Sequence, residues 1–178
     1  MPTTETLLQT YGEIAGNAVL FEKSITEPIT EGLGTAYASF TALYLQYQKH
    51  HFVVEGSEYY MLHEYFSESY EEVQGHAHEV GERLHGLGGI PAATFSELAR
   101  LCCFEQEASD TYRCRLMIEH DLKAEQEVIA VLRRLASQAE SLGDRATRYL
   151  YEQILLKTEE RAYHLDHFLT RDSLKLNW

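Results

Sequence analysis

Apolar residues recur along this chain at steps of three and four, the period of helices that each bury one stripe. The first stripe runs Ile29, Leu33, Tyr37, Phe40, Tyr44, Tyr47, His51 and Val54. It predicts a helix over 27–54, with Thr26 as cap, Pro28 in the first turn and His51 in a core-facing position. The second, Leu62, Phe66, Tyr70, Val73, Ala77, Val80 and Leu84, predicts a helix over 57–85. That helix opens after Gly56 and is stopped by Gly86-Leu87-Gly88-Gly89-Ile90-Pro91. A short helix over 95–101 and a loop over 102–110 are expected next. Ile118, Leu122, Ile129, Leu132, Leu135 and Ala139 then mark a helix over 111–142, capped by Asp110. Leu150, Ile154, Leu165 and Phe168 mark a last helix to about 169, entered through Gly143-Asp144. Four long helices of similar length predict an all-α four-helix bundle over 26–170. It lies between an N-terminal tail, 1–25, and a short C-terminal tail, 171–178. The stretch 86–109 is long enough to cross the bundle, which makes the second and third long helices parallel.

The second helix has another face. At 100° per residue, His63, Ser67, His78 and Glu82 fall within an arc of about 100°, roughly 110° from the apolar stripe. Imidazole and carboxylate are metal ligands. His63 and Glu82 stand nineteen positions apart, about 28 Å of helix, whereas ligands sit about 2 Å from their ion. One copy of the helix therefore cannot close one site. An antiparallel copy crossing near Glu72 and Val73 brings His63 of one chain to His78 and Glu82 of the other, giving two identical sites about a two-fold axis. Gly75 and Gly81 would ease that approach. The alternative is a solvated helix face that happens to carry histidines.

Composition narrows the function. Hydrophobic residues make up 44% and charged residues 24%, as in an ordinary globular domain with a real core. No apolar run reaches membrane-spanning length and no secretory signal opens the chain. Cys102, Cys103 and Cys114 lack a paired CxxC spacing, which fits reduced thiols in the cytoplasm. The formal charge of −13, from 28 acidic and 15 basic residues, repels DNA phosphates and attracts cations.

Several motifs together resemble the Dps family of mini-ferritins: Lys49-His50-His51-Phe52, Gly56, Leu62-His63-Glu64, Glu82-Arg83-Leu84 and Gly88-Gly89-Ile90-Pro91. The resemblance spans the first long helix to the end of the last. It implies a ferritin-like bundle with a short extra helix in the crossover, assembled as a hollow dodecamer. It also implies ferroxidase sites at the two-fold interfaces, with His51 and His63 from one subunit and positions 78 and 82 from its partner. Such proteins oxidise Fe(II) with hydrogen peroxide or oxygen and store the ferric product, which protects against oxidative stress.

Most of the family carries aspartate at the positions of Ser67 and His78, so this chain is similar to a histidine-type branch known chiefly among cyanobacteria. A site of His51, His63, His78 and Glu82 is nitrogen-rich, stabilises Fe(III) less than a carboxylate site, and favours zinc over Fe(II). His164 is a candidate additional ligand, His167 a weaker one. Glu140 and Asp144 match positions that line three-fold iron pores in the family, although Asp144 also reads as a helix cap and Glu140 as a surface acid. Glu82 and His85 read as the Glu-x-x-His of an intrasubunit di-iron bundle, but the only possible mate, Glu160 to His164, has the wrong spacing. The leading reading is a cytoplasmic dodecameric ferroxidase. The alternative is a zinc- or iron-sequestering or nucleoid-associated cage with little redox turnover. DNA binding is expected to be weak or absent, because in 1–25 only Lys23 is basic.

Overall fold

The structure, a computed structural model, describes residues 6–170. The expected C-terminal tail, 171–178, and the first five residues of the N-terminal tail lie outside the described residues. Among the described residues five helices follow in order: α1 Lys23–Val53, α2 Tyr59–Gly86, α3 Phe95–Leu101, α4 Cys114–Ser141 and α5 Arg145–Phe168. Among the described residues there is no strand.

Cross-helix bonds fix the topology. Along α1 and α4, Gln46 and His50 meet Asp121, Tyr47 meets Glu125, and Gly32 abuts Leu135, so these two helices run antiparallel. Along α2 and α5, Glu72 meets Arg161 and Arg83 meets Thr147, again antiparallel. The turn over 54–58 folds α2 back on α1, and residue 56 must be glycine-like there because its φ is +95°. α2 and α4 are therefore parallel, and the stretch through α3 is the expected crossover. The core lies between the stripes, with Leu33, Phe40, Leu43, Phe66, Val73, Met117, Ile118, Leu132 and Ile154 fully enclosed.

Two helix starts differ from expectation. α1 begins a turn early, at Lys23, because Asn17 holds Phe21 through two bonds and delivers the chain directly into the helix. Thr26 is thus buried inside the helix, not its cap, and Pro28 sits in the second turn. α4 begins late, at Cys114, and Asp110 caps nothing. The loop stays extended because Lys49 reaches Glu107 and the Ala108 carbonyl and lies over the Tyr112 ring at 4.7 Å. Asp144 does cap α5, accepting from the Thr147 amide at 3.0 Å. The described part of the N-terminal segment is docked: the Ala15 amide donates to the Gly88 carbonyl at 2.9 Å. A side chain at Gly88, whose φ is +92°, would collide with the Ala15 backbone. Gly81 is also spent within the subunit, facing the ring of Tyr37, whereas Gly75 is exposed and open.

Candidate metal centre

The candidate ligands fall into two groups on one chain. The first is at the α1–α2 turn. His51, near the end of α1, and His63, in the second turn of α2, have ring centroids 3.8 Å apart, and Tyr70 closes the pair edge-on at 5.4 Å from His51. His51 Nδ1–H donates to the His63 carbonyl at 3.0 Å. A carbonyl can only accept, so the tautomer is fixed and the His51 Nε2 lone pair is left for a ligand, the usual outer support of a metal-bound imidazole. Both histidines are half-buried. Ser67, one turn beyond His63, lies with its hydroxyl 3.5 Å from that of Tyr70.

The second group is about four turns further along α2 from His63. His78 and Glu82 are exposed and line a groove with Tyr37, Thr41, Tyr44 and His85. The structure does not bring the two groups together: among the described residues no three histidine, cysteine or acidic side chains converge on a point where a metal ion could sit. The donors fit a divalent cation in kind, three imidazoles and a carboxylate, but one chain supplies them in two places.

Other candidates fare differently. His164 is exposed beside Tyr65 and Tyr163, and His167 donates to the Tyr163 carbonyl, so neither joins either group within the chain. Glu140 is exposed and paired with Arg148 at 3.0 Å. Asp144 is fully buried, and its carboxylate is taken by Arg83 at 2.8 Å and by Thr147, so within the subunit it is a cap and ion-pair partner rather than an open, pore-lining acid.

The intrasubunit alternative is answered at the bundle centre. There Arg161 of α5 contacts Glu125 at 2.7 Å, Glu72 at 2.6 Å and His76 at 3.3 Å. The chain's own guanidinium lies between the Glu125 and Glu72 carboxylates. Burial and the Arg161 charge push the His76 pKa down to about 3, so His76 is neutral and accepts from Arg161. Glu160 lies outside this cluster, exposed and paired with Lys157.

His51 is not the core histidine of α1; His50 is. Fully buried, it meets Asp121 through Nδ1 at 2.9 Å and Glu107 through Nε2 at 2.7 Å. An imidazole can donate from both nitrogens only when protonated. Burial alone would lower its pKa, but Asp121 and Glu107 raise it to about 9. Burial pushes the Asp121 carboxyl upward against the pull of His50; two short bonds from one ring favour the imidazolium all the same. The ring ties the end of α1, and with it His51, to α4 and to the loop. The signal was present in sequence: Asp121 and Glu125 interrupt the inward positions of α4, and acids there need buried partners.

Comparison with known proteins identifies the fold and the family. The description of a ferritin-like domain matches residues 30–174. The chain is 66% identical to a nutrient stress-induced DNA-binding protein of Nostoc sp., covering 100% of this chain and 97% of that one. It is 32% identical to a DNA protection during starvation protein of Halobacterium salinarum, over 98% of this chain and 96% of that one. The crystal structure of an archaeal Dps homologue from that organism superposes with a TM-score of 0.92 at 31% identity, covering 99% and 98%.

Proposed function

The chain belongs to the Dps family of mini-ferritins, and on that premise we propose that it is a ferroxidase and iron store whose sites form where two copies meet. One observation carries the reading. His51–His63 and His78–Glu82 read as complementary half-sites, and among the described residues of one chain nothing closes either of them. A two-fold pairing of α2 joins each half to its counterpart. Closed assembly of twelve subunits then gives a cage.

The chemistry follows from the donors. Three neutral imidazoles and one carboxylate hold Fe(II) as substrate and leave a cationic site that anionic ligands can share. Two Fe(II) ions each give one electron. Hydrogen peroxide takes both with two protons and leaves as two waters; oxygen is the slower alternative. Fe(III), released to the interior, hydrolyses and is stored, so both reagents of hydroxyl-radical formation are removed. His51, held by the His63 carbonyl, keeps one nitrogen oriented throughout. The nitrogen-rich donor set also supports a second reading, a cage that holds zinc at the same site with little turnover. His164 would join only from outside the half-sites, and Glu140 would be the pore acid, half neutralised by Arg148. No described helix is long and apolar enough to cross a membrane, and a cytoplasmic location fits the reading.

The relatives' name says that they bind DNA, which bears against an expectation of weak binding. The charge of −13 and the docking of the described part of the N-terminal segment support contacts that need low salt or bridging divalent cations.

The test is His78→Ala. Fe(II) oxidation followed by absorbance should slow at least tenfold while the oligomer persists, because the core stripe of α2 is untouched. His78→Asp should recover oxidation with a weaker preference for zinc. Oxidation by His78→Ala at the parental rate would remove His78 from the site and with it the histidine-type assignment.

A further inference from the structure

His85 stands in the groove of His78 and Glu82 and has no part in the site proposed above. We propose that His85 is a metal ligand that, with Glu82, makes a second, outer position for a divalent cation, so that the groove takes two ions with the Glu82 carboxylate between them. The inference rests on the half-site reading of His78 and Glu82.

Three observations carry it. First, His78, Glu82 and His85 line one groove. At 100° per residue His85 falls inside the arc that holds His63, Ser67, His78 and Glu82, and it lies about 4.5 Å beyond Glu82 along the axis. Residues three and four apart on a helix have Cβ atoms about 5–6 Å apart. Glu82 is therefore within chelating reach of His78 on one side and His85 on the other. A carboxylate has two oxygens, one for each neighbour.

Second, His85 is held as His51 is held. Its Nδ1–H donates to the Gly89 carbonyl at 3.0 Å, and His51 Nδ1–H donates to the His63 carbonyl at the same distance. Each bond fixes the tautomer and leaves Nε2 as the lone pair. The Gly88-Gly89 turn that stops α2 supplies the acceptor, since the chain doubles back there and the Gly89 amide bonds to the Leu84 carbonyl.

Third, the position suits a cation. His85 is in the last turn of α2, where the carbonyl end of the helix dipole favours positive charge. The side chain is exposed, so an ion can reach it without rearrangement of the core.

The probe is Zn(II) alone, titrated into the intact assembled protein by equilibrium dialysis, with assembly checked by light scattering. The parent should bind two Zn(II) per subunit. His85→Ala should bind one, at unchanged affinity for the tighter ion. His85→Asn keeps a donor for the Gly89 carbonyl but offers no ligand nitrogen, so it should also bind one, which separates ligation from support of the turn. His78→Ala should weaken the tighter ion at least tenfold. Two ions in both His85 variants would overturn the inference, as would one ion in the parent. If His78→Ala alone leaves tight binding unchanged, the half-site reading fails instead.

Discussion

Arg161→Met removes the guanidinium that pairs with Glu125 at the centre of the bundle. In the parent the Arg161 side chain is 5% exposed and that of Glu125 0%, and they meet through Nε at 2.7 Å and Nη2 at 3.2 Å. Arg161 also reaches Glu72, His76 and Thr158. Burial pushes the Glu125 carboxyl up while Arg161 and the Tyr47 hydroxyl pull it down. The net effect of burial on Glu125 is upward, but the guanidinium keeps its charge at any ordinary pH and bonds the carboxylate through two nitrogens, which favours the ionic pair. Methionine fills much of the volume but leaves Glu125 with Tyr47 alone, at 2.8 Å. Breaking a buried pair from one side costs about 3–5 kcal/mol. For a domain of this size each kcal/mol moves the melting point by roughly 2–4 °C, so the variant should melt roughly 6–20 °C lower. The assay is a scan by circular dichroism at fixed subunit concentration, since assembly adds its own stability. Replacing both partners, Arg161→Met with Glu125→Leu, should recover most of the loss, because no charge is then stranded. A single variant that melts within about 2 °C of the parent would refute the account of Arg161 as the cation that balances the core.

Further expectations concern the His50 clamp, assembly and DNA. The folded pKa of His50, about 9, lies above its ordinary 6.5, so the clamp's contribution is complete below 6.5 and is lost as pH rises through about 9. For Glu107, burial opposes ionisation, but bonds from His50 and Lys49 lower its pKa to about 2, so its share is present above 4.5 and lost as pH falls through about 2. The His50 share is about 3 kcal/mol at most; hydrogen exchange over 102–113 should therefore quicken between pH 6.5 and 9.5 once the intrinsic pH dependence is removed, and no change would count against a charged His50. Light scattering should give about twelve times 20.5 kDa, and a stable monomer at micromolar concentration would defeat the two-fold site. Mobility shifts should be absent at physiological salt without divalent cations; a shift under those conditions would show that charge does not govern DNA contact here.

The helices and the stripe that buries each were legible in the sequence, because burial of one face imposes a period on the residues themselves. Leu62 to Leu84 on α2 lies as its spacing required, apart from Tyr70, which is only half-buried. The Gly143-Asp144 turn was legible too, since capping is local chemistry. The starts of α1 and α4 were not, because loop contacts set them: Asn17 with Phe21 at one, Lys49 with Glu107 and Tyr112 at the other. The same limit applied to the histidines. Helical spacing put His63, His78 and Glu82 on one face and showed that one chain could not join them. It could not choose between His50 and His51 as the core residue, because steps of three and four from Tyr47 admit either. Asp121 and Glu107 decided that choice, seventy-one and fifty-seven positions away, by drawing the imidazolium of His50 into the core and turning His51 toward His63. Period is a property of neighbours in sequence; the partner of a buried charge is a property of packing.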